Sequence, residues 1–225
     1  MTTTMRLSGE ERRAAIIGAV RKVFAEKGFH GTTTRELAQA AGVSEALLFK
    51  HFPNKEALFT AIQLSCCNEH DLGVFERLTS LKPSASTLVK LVQFLVSRII
   101  GGVPGHEEKA SQHRLVLRSL AEDGDFARIL LGRLSTAWLP KVEACLTAAV
   151  ADGDATAGPV PGKLNGLFAY HLAAIITFHL LPATPAIDYG ETRDQLADHA
   201  TWFILRGMGL KEEVIRRHVC TTQFA

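Results

Sequence analysis

The sequence predicts an all-α fold, and three observations predict it. Apolar residues recur at helical spacing from end to end, no segment keeps the period-two alternation of a half-buried strand, and Ser/Thr caps with Gly or Pro breaks cut the chain into helix-sized pieces. With 47% hydrophobic residues among 225, the chain has material for a packed core and the length of one large or two small domains.

The elements follow in order. Ser8 with Glu11 three residues later forms a capping box, Ile16, Val20, Val23 and Phe24 share one face of the first helix, and Gly28 ends it. Thr33 with Glu36 opens a second helix carrying Leu37, Ala38 and Ala41, which Gly42 stops after about two turns. A third helix starts at Ser44 and runs to about Phe52, and Asn54 caps a longer fourth one beginning Lys55-Glu56-Ala57. Breaks at Lys82-Pro83-Ser84, Gly101 to Gly105, Asp123-Gly124-Asp125, 152–162 and 182–190 leave helices near 84–100, 106–122, 125–150, 163–181 and 191–208, with a short one near 211–218. There is no internal repeat.

Charge is unevenly distributed. Residues 1–60 hold nine Lys/Arg against six Glu, a net +3, while the remainder is close to neutral at −1, so the positive excess sits where phosphates would be met. The first thirteen residues lack an apolar signal core, so the chain is expected to stay in the cytoplasm. Cys66, Cys67, Cys145 and Cys220 form no C-x-x-C pair and are expected to be reduced thiols. The apolar run from Leu164 to Leu181 contains Asn165, His171, Thr177 and His179 and reads as a helix buried on several sides, without a membrane role.

Catalytic signatures are missing. Gly158-Pro159-Val160-Pro161-Gly162-Lys163-Leu164 has the wrong spacing for a phosphate cradle, and His106-Glu107-Glu108-Lys109-Ala110 lacks the second histidine of a zinc-protease helix. His171 and His179 stand eight apart, about 12 Å along a helix, too far for one metal. No enzyme activity, metal site or cofactor is expected.

Residues 33–55 describe two short helices joined by a tight turn at Gly42, then a break and another helix start: a helix-turn-helix, whose second helix enters the major groove. Leu48 and Phe52 share a face with Val43, so Glu45, Ala46, Phe49 and Lys50 point elsewhere and Leu47 lies at the margin. Small and apolar groups on that outward face suit thymine methyls. His51, Lys50 and Lys55 can approach phosphates, as can Thr34 and Arg35 at the start of the preceding helix. The DNA-facing candidates are therefore Thr34, Arg35, Ser44, Glu45, Ala46, Leu47, Phe49, Lys50, His51 and Lys55.

Over residues 10–60 the sequence resembles the TetR family of one-component regulators, through Ile16, Ala19, Phe24, Gly28, Thr32 to Thr34, Leu37-Ala38, Ala41-Gly42-Val43-Ser44, Leu48, Phe49, His51-Phe52, Lys55 and Leu58. The resemblance implies that Thr34, Arg35, Glu45, Ala46, Leu47, Phe49, His51 and Lys55 face DNA. It also marks two departures: Phe49 stands where the family usually has a tyrosine that donates to a phosphate, and Ala46 where it often has glycine.

The same resemblance implies a DNA-binding domain over 1–54 and a ligand-binding, dimerising helical domain over 55–225. Its dimer helices would be those near 163–181 and 191–208, meeting through Leu167, Leu172, Ile175, Ile176, Trp202, Phe203 and Leu205. Candidate effector contacts are Gln112, His113, Arg114, Leu117 and Arg118 on one helix, with Phe94, Phe126, Trp138, His171 and Phe178 on others. A mostly apolar cavity of this kind suits a hydrophobic or aromatic effector, with Arg118 for an anionic group. The expected partners are a palindromic double-stranded operator, a small-molecule effector and a second copy of the chain, with no membrane. The competing expectation is a DNA-binding dimer controlled by a protein partner or by no ligand.

Overall fold

The computed structural model describes residues 8–65, 69–101 and 107–219. Cys66, Cys67, Cys220, His106 and the glycines of 102–105 lie outside the described residues, as does the side chain of Gln112.

Among the described residues the regular structure is helical: α1 Gly9–Lys27, α2 Thr34–Ala40, α3 Glu45–His51, α4 Lys55–Ser65, α5 Glu69–Ser80, α6 Ala85–Val96, α7 Glu107–Ala121, α8 Asp125–Arg133, α9 Leu139–Ala151, α10 Gly162–His179, α11 Arg193–Gly207 and α12 Glu212–His218. The one β-type pairing is an isolated bridge, Ala155 to Leu210, which clasps the 152–162 loop to the start of α12.

The helix expected over 125–150 is helical throughout but not uniform. α8 passes through a π-helical stretch, Leu134–Trp138, into α9, whose second residue is Pro140. Proline has no N–H to give the preceding turn and its ring crowds the carbonyl four residues back, so the chain widens there. A second π-helical stretch, Ser97–Gly101, ends α6. The Thr177 hydroxyl donates to Ile99 O at 3.0 Å and Arg193 donates to Ile100 O at 3.3 Å, so neighbouring side chains satisfy the carbonyls of the irregular turn.

Two compact units form. The first comprises residues 1–68 with 106–130, the second 69–105 with 131–225. In the first unit α7 lies against α1, so the unit that carries the helix-turn-helix reaches beyond residue 54. Its core is Ile16, Val20, Phe24, Leu37, Leu48, Phe52, Leu58, Ile62, Leu115 and Phe126, all buried. In the second unit α6, α9, α10, α11 and α12 enclose a core built on Leu88, Leu91, Trp138, Val142, Cys145, Ala173, Leu205 and Ile215.

No described helix is long and apolar enough to cross a membrane. α10 owes its apolar sequence to two different faces, Ala169, Ala173 and Ile176 inward and Leu164, Phe168 and Ile175 outward.

Candidate nucleic-acid interface

The helix-turn-helix is assembled by caps and a few buried anchors. Ser8 and Glu11 form the expected capping box, with bonds of 2.8 and 3.2 Å, and start α1. Thr33 and Glu36 repeat the device on α2 at 2.9 and 3.3 Å. Gly42 takes φ +63°, the left-handed conformation that lets the chain reverse between α2 and α3, while Val43 N donates back to Ala38 O at 3.0 Å. Ser44 caps α3 through Leu47 N at 3.2 Å, and Leu48 and Phe52 anchor that helix in the core.

Ion pairing ties α1 to α2. Lys27 Nζ lies 2.5 Å from Glu36 Oε1, whose other oxygen accepts from Thr33. The Lys27 ammonium first, and the Thr33 donors second, hold the Glu36 carboxyl down at about 2.

What remains outward is the surface the sequence indicated. Arg35, Ser44, Glu45, Ala46, Phe49 and Lys50 are exposed, and Thr34, Leu47, His51 and Lys55 are half-buried. Leu47 thus lies at the margin, as its phase on α3 implies. Phe49 is 40% exposed, a large apolar ring on a polar rim. Thr34 Oγ1 donates to Glu45 Oε2 at 2.8 Å, joining the first turns of the two helices.

Two cationic side chains are engaged by main-chain carbonyls. Lys55 donates to Thr32 O at 2.6 Å and lies 4.4 Å from the Phe29 ring centroid, so its ammonium is held within its own unit. Arg13, which no motif singled out, donates to His51 O at 2.8 Å and stacks 4.3 Å over the Phe52 ring, closing the C-terminal end of α3. Only its long-range pairing gives it this role, and spacing within the chain carries no signal for that.

Residues 16–62 match the sequence profile of bacterial regulatory proteins, tetR family. That match spans the helix-turn-helix segment. The chain is 43% identical over 51 residues to the HTH-type transcriptional regulator RutR of Escherichia coli K12, a match that covers 23% of this chain and 24% of RutR. The chain therefore aligns with about a quarter of that relative's length. Among solved structures, NalD, the secondary repressor of the MexAB-OprM multidrug efflux pump in Pseudomonas aeruginosa, superposes with a TM-score of 0.67 at 21% identity over 91% of this chain and 100% of that one. AibR, in complex with isovaleryl coenzyme A and operator DNA, superposes at 0.63 and 19% identity over 86% of this chain and 97% of that one. At these identities the structural likeness shows a shared fold and nothing more.

The effector candidates fall in different places. His113, Arg114, Leu117, Arg118 and Phe126 belong to the first unit; Phe94, Trp138, His171 and Phe178 belong to the second. Trp138 is fully buried with its indole N–H donating to Gly166 O at 3.4 Å, and Phe94 is a core residue. Leu117 and His171 are exposed and Phe178 is half-buried.

Arg118 lines a cleft of about 240 Å³ in the first unit, with Phe29, Phe59, Leu115 and Glu56. Its guanidinium is already engaged, with Nε on Glu122 at 2.8 Å and Nη1 on Glu26 O at 2.7 Å. Glu26 O is one of the orphan carbonyls at the end of α1, so Arg118 of α7 caps that helix from a neighbouring one. A sequence reading that treats Arg118 as a ligand for an anion has no access to this bond, which spans 92 residues.

The dimer candidates divide by face. Ile176 and Leu205 point into the second unit's own core. Leu167, Leu172 and Trp202 are half-buried, and Ile175 and Phe203 are exposed. Phe203 is 70% exposed and Phe168, which the sequence reading omitted, is 53% exposed. Leu164, Phe168, His171 and Ile175 follow one another at three- and four-residue steps along α10, and that periodicity is the signal that marks Phe168. Among the described residues no group of three or more His, Cys, Asp or Glu side chains is placed to hold a metal ion.

Proposed function

We propose that the protein is a homodimeric transcriptional regulator that reads a palindromic operator with α3 and is released from it by a small hydrophobic or aromatic effector. The observation that carries this reading is the rigid, fully capped helix-turn-helix that leaves Glu45, Ala46, Phe49 and Lys50 outward on α3 while Leu48 and Phe52 are buried. In such a motif the N-terminal residues of the second helix meet the base edges and the first helix lies across the backbone. Arg35, Lys50 and His51 are the phosphate contacts, and Leu47, Ala46 and Phe49 the apolar ones. Because Phe49 carries no hydroxyl, its ring contributes apolar contact where the family's tyrosine donates to a phosphate.

The outward stripe of α10 and Phe203 on α11 support a second copy of the chain as partner. Apolar side chains this exposed, in sequence with one another, mark an interaction surface. A twofold pair would present two α3 helices to half-sites about 34–36 Å apart or a multiple of that.

Effector control is supported by AibR, whose solved complex contains both isovaleryl coenzyme A and operator DNA. In this chain α7 offers a route for it: His113, Arg114 and Leu117 share the helix whose Arg118 holds the end of α1. A ligand that displaces α7 would pull on α1 and so change how α3 is presented. A coupling of about 1–3 kcal/mol would weaken operator binding roughly 5- to 150-fold.

The test is fluorescence anisotropy of the full-length protein on a duplex selected from random sequence, titrated with short acyl thioesters, fatty acids and aromatic acids. Release by one class with saturable dependence is the expected result. An operator affinity that no compound changes would favour the dimer without ligand control.

A further inference from the structure

Resting on the DNA-binding reading above, we infer that Glu45 determines sequence specificity by accepting a hydrogen bond from the amino group of a cytosine, with Thr34 as its positioning residue. Glu45 is the first residue of α3, the end of a recognition helix that comes closest to base edges, and it is exposed. One carboxylate oxygen, Oε2, is fixed by the Thr34 hydroxyl at 2.8 Å, which selects one orientation of a side chain with three rotatable bonds. Among the described residues no second hydrogen bond or ion pair engages the carboxylate, so Oε1 is left to accept from outside.

A carboxylate on a surface that approaches phosphates is electrostatically unfavourable unless a donor meets it. The major groove offers only two such donors, the N4 amino group of cytosine and the N6 amino group of adenine. Beside adenine N6 lies the N7 acceptor, which repels a carboxylate, whereas beside cytosine N4 lies a C–H. Guanine and thymine present acceptors, N7 and O6 or O4, and are rejected. Glu45 thus favours a C·G pair with cytosine on the contacted strand, and disfavours adenine less strongly than guanine or thymine. The inert neighbours Ala46 and Leu47 add no competing polar group.

Thr34 supplies the geometry. It begins α2, where its hydroxyl both belongs to the first turn and spans to α3, so the relative placement of the two helices sets where Oε1 points. Valine at this position keeps the shape and removes the donor, whereas serine retains it.

The experiment is selection of binding sites from a randomised duplex by full-length wild type, Glu45→Gln, Glu45→Ala, Thr34→Val and Thr34→Ser, followed by affinities on single-base variants of the enriched site. The wild type should enrich an inverted repeat with C·G at one symmetric pair of positions, where any other base weakens binding about five- to tenfold, the low end of the cost of a mismatched pair. Glu45→Gln should shift that position to A·T, since glutamine pairs with both adenine N6 and N7. Glu45→Ala should lose preference there and nowhere else, Thr34→Val should reduce it, and Thr34→Ser should restore it. If Glu45→Gln and Glu45→Ala enrich the wild-type base at every position, the inference is overturned while the DNA-binding reading stands. If the wild type enriches no sequence, the DNA-binding reading falls and takes the inference with it.

Discussion

Replacing Gly28 by alanine probes the junction between the end of α1 and α7. Gly28 has φ 73° and ψ 175°, a region that is essentially glycine's alone, so forcing alanine into it costs about 1–3 kcal/mol. The added Cβ would also stand 2.5 Å from Arg118 Nε and 2.9 Å from Glu122 Oε1. Both are ends of flexible side chains, so they withdraw, and the 2.7 Å bond from Arg118 to Glu26 O goes with them. A hydrogen bond from a charged donor contributes about 1.5–3 kcal/mol, less here because water can replace part of it at a half-exposed site. Together the two effects amount to about 2–5 kcal/mol, against a total stability of about 5–15 kcal/mol for a domain. The assay is urea unfolding of the full-length protein followed by far-UV circular dichroism, because both tryptophans, Trp138 and Trp202, belong to the second unit and do not report on the first. With a urea dependence of about 2 kcal/mol per molar, the midpoint should fall by about 1–2.5 M. Arg118→Ala alone should lose only the hydrogen bond, and Gly28→Ala added to it should then cost only the backbone term, leaving a coupling of about 1 kcal/mol or more. A Gly28→Ala midpoint indistinguishable from wild type, or strict additivity of the two changes, would refute the capping role of Arg118.

Lys55→Ala should destabilise the protein by about 1–2 kcal/mol, through the lost bond to Thr32 O and the lost contact with the Phe29 ring, whereas Lys50→Ala should change stability by less than about 0.5 kcal/mol; thermal unfolding compares them. The Glu36 carboxyl, held down at about 2 by Lys27 and Thr33, is more acidic folded than unfolded, so its contribution is fully present above the ordinary carboxylate value of 4.5 and is lost as pH falls from there toward 2. Glu36→Gln should accordingly flatten the acid limb of a stability profile measured between pH 5 and 2, and an unchanged limb would remove the ion pair from the account. Phe203→Glu together with Phe168→Glu should convert a dimer to a monomer in sedimentation velocity while leaving the far-UV spectrum intact, since neither side chain belongs to the core.

Local signals made the first unit legible. The capping boxes at Ser8 and Thr33, the turn glycine at Gly42 and the apolar phase of Leu48 and Phe52 each depend on residues within four positions, and each reappears in the structure with its bonds. Pairings across long stretches of chain were not legible. Arg13 to His51, Lys55 to Thr32 and Arg118 to Glu26 are all formed by long cationic side chains whose partners are main-chain carbonyls, and a carbonyl leaves no trace in a sequence. Those pairings give all three side chains partners within their own unit, and Arg13 clamps the end of α3.

The second unit was legible as helices but less so as faces. α10 is apolar on most of its circumference, so hydrophobicity could not separate Ile176, which is buried, from Ile175, which is 48% exposed. On α11 the adjacent residues Phe203 and Leu205 part in the same way, one outward and one in the core. The irregular turns at 97–101 and 134–138 were invisible except for Pro140, because a π-helical widening depends on which side chains arrive to satisfy the freed carbonyls.

The proposed function rests on a paired molecule that reads duplex DNA through α3. Its most direct test is the stoichiometry and salt dependence of full-length protein binding to the selected inverted repeat. Two protomers per duplex are expected, with affinity falling about a hundredfold between 50 and 200 mM salt, as about four phosphate contacts from Arg35 and Lys50 of each protomer require. A protein that sediments as a monomer and leaves duplex DNA unbound at low salt would contradict it.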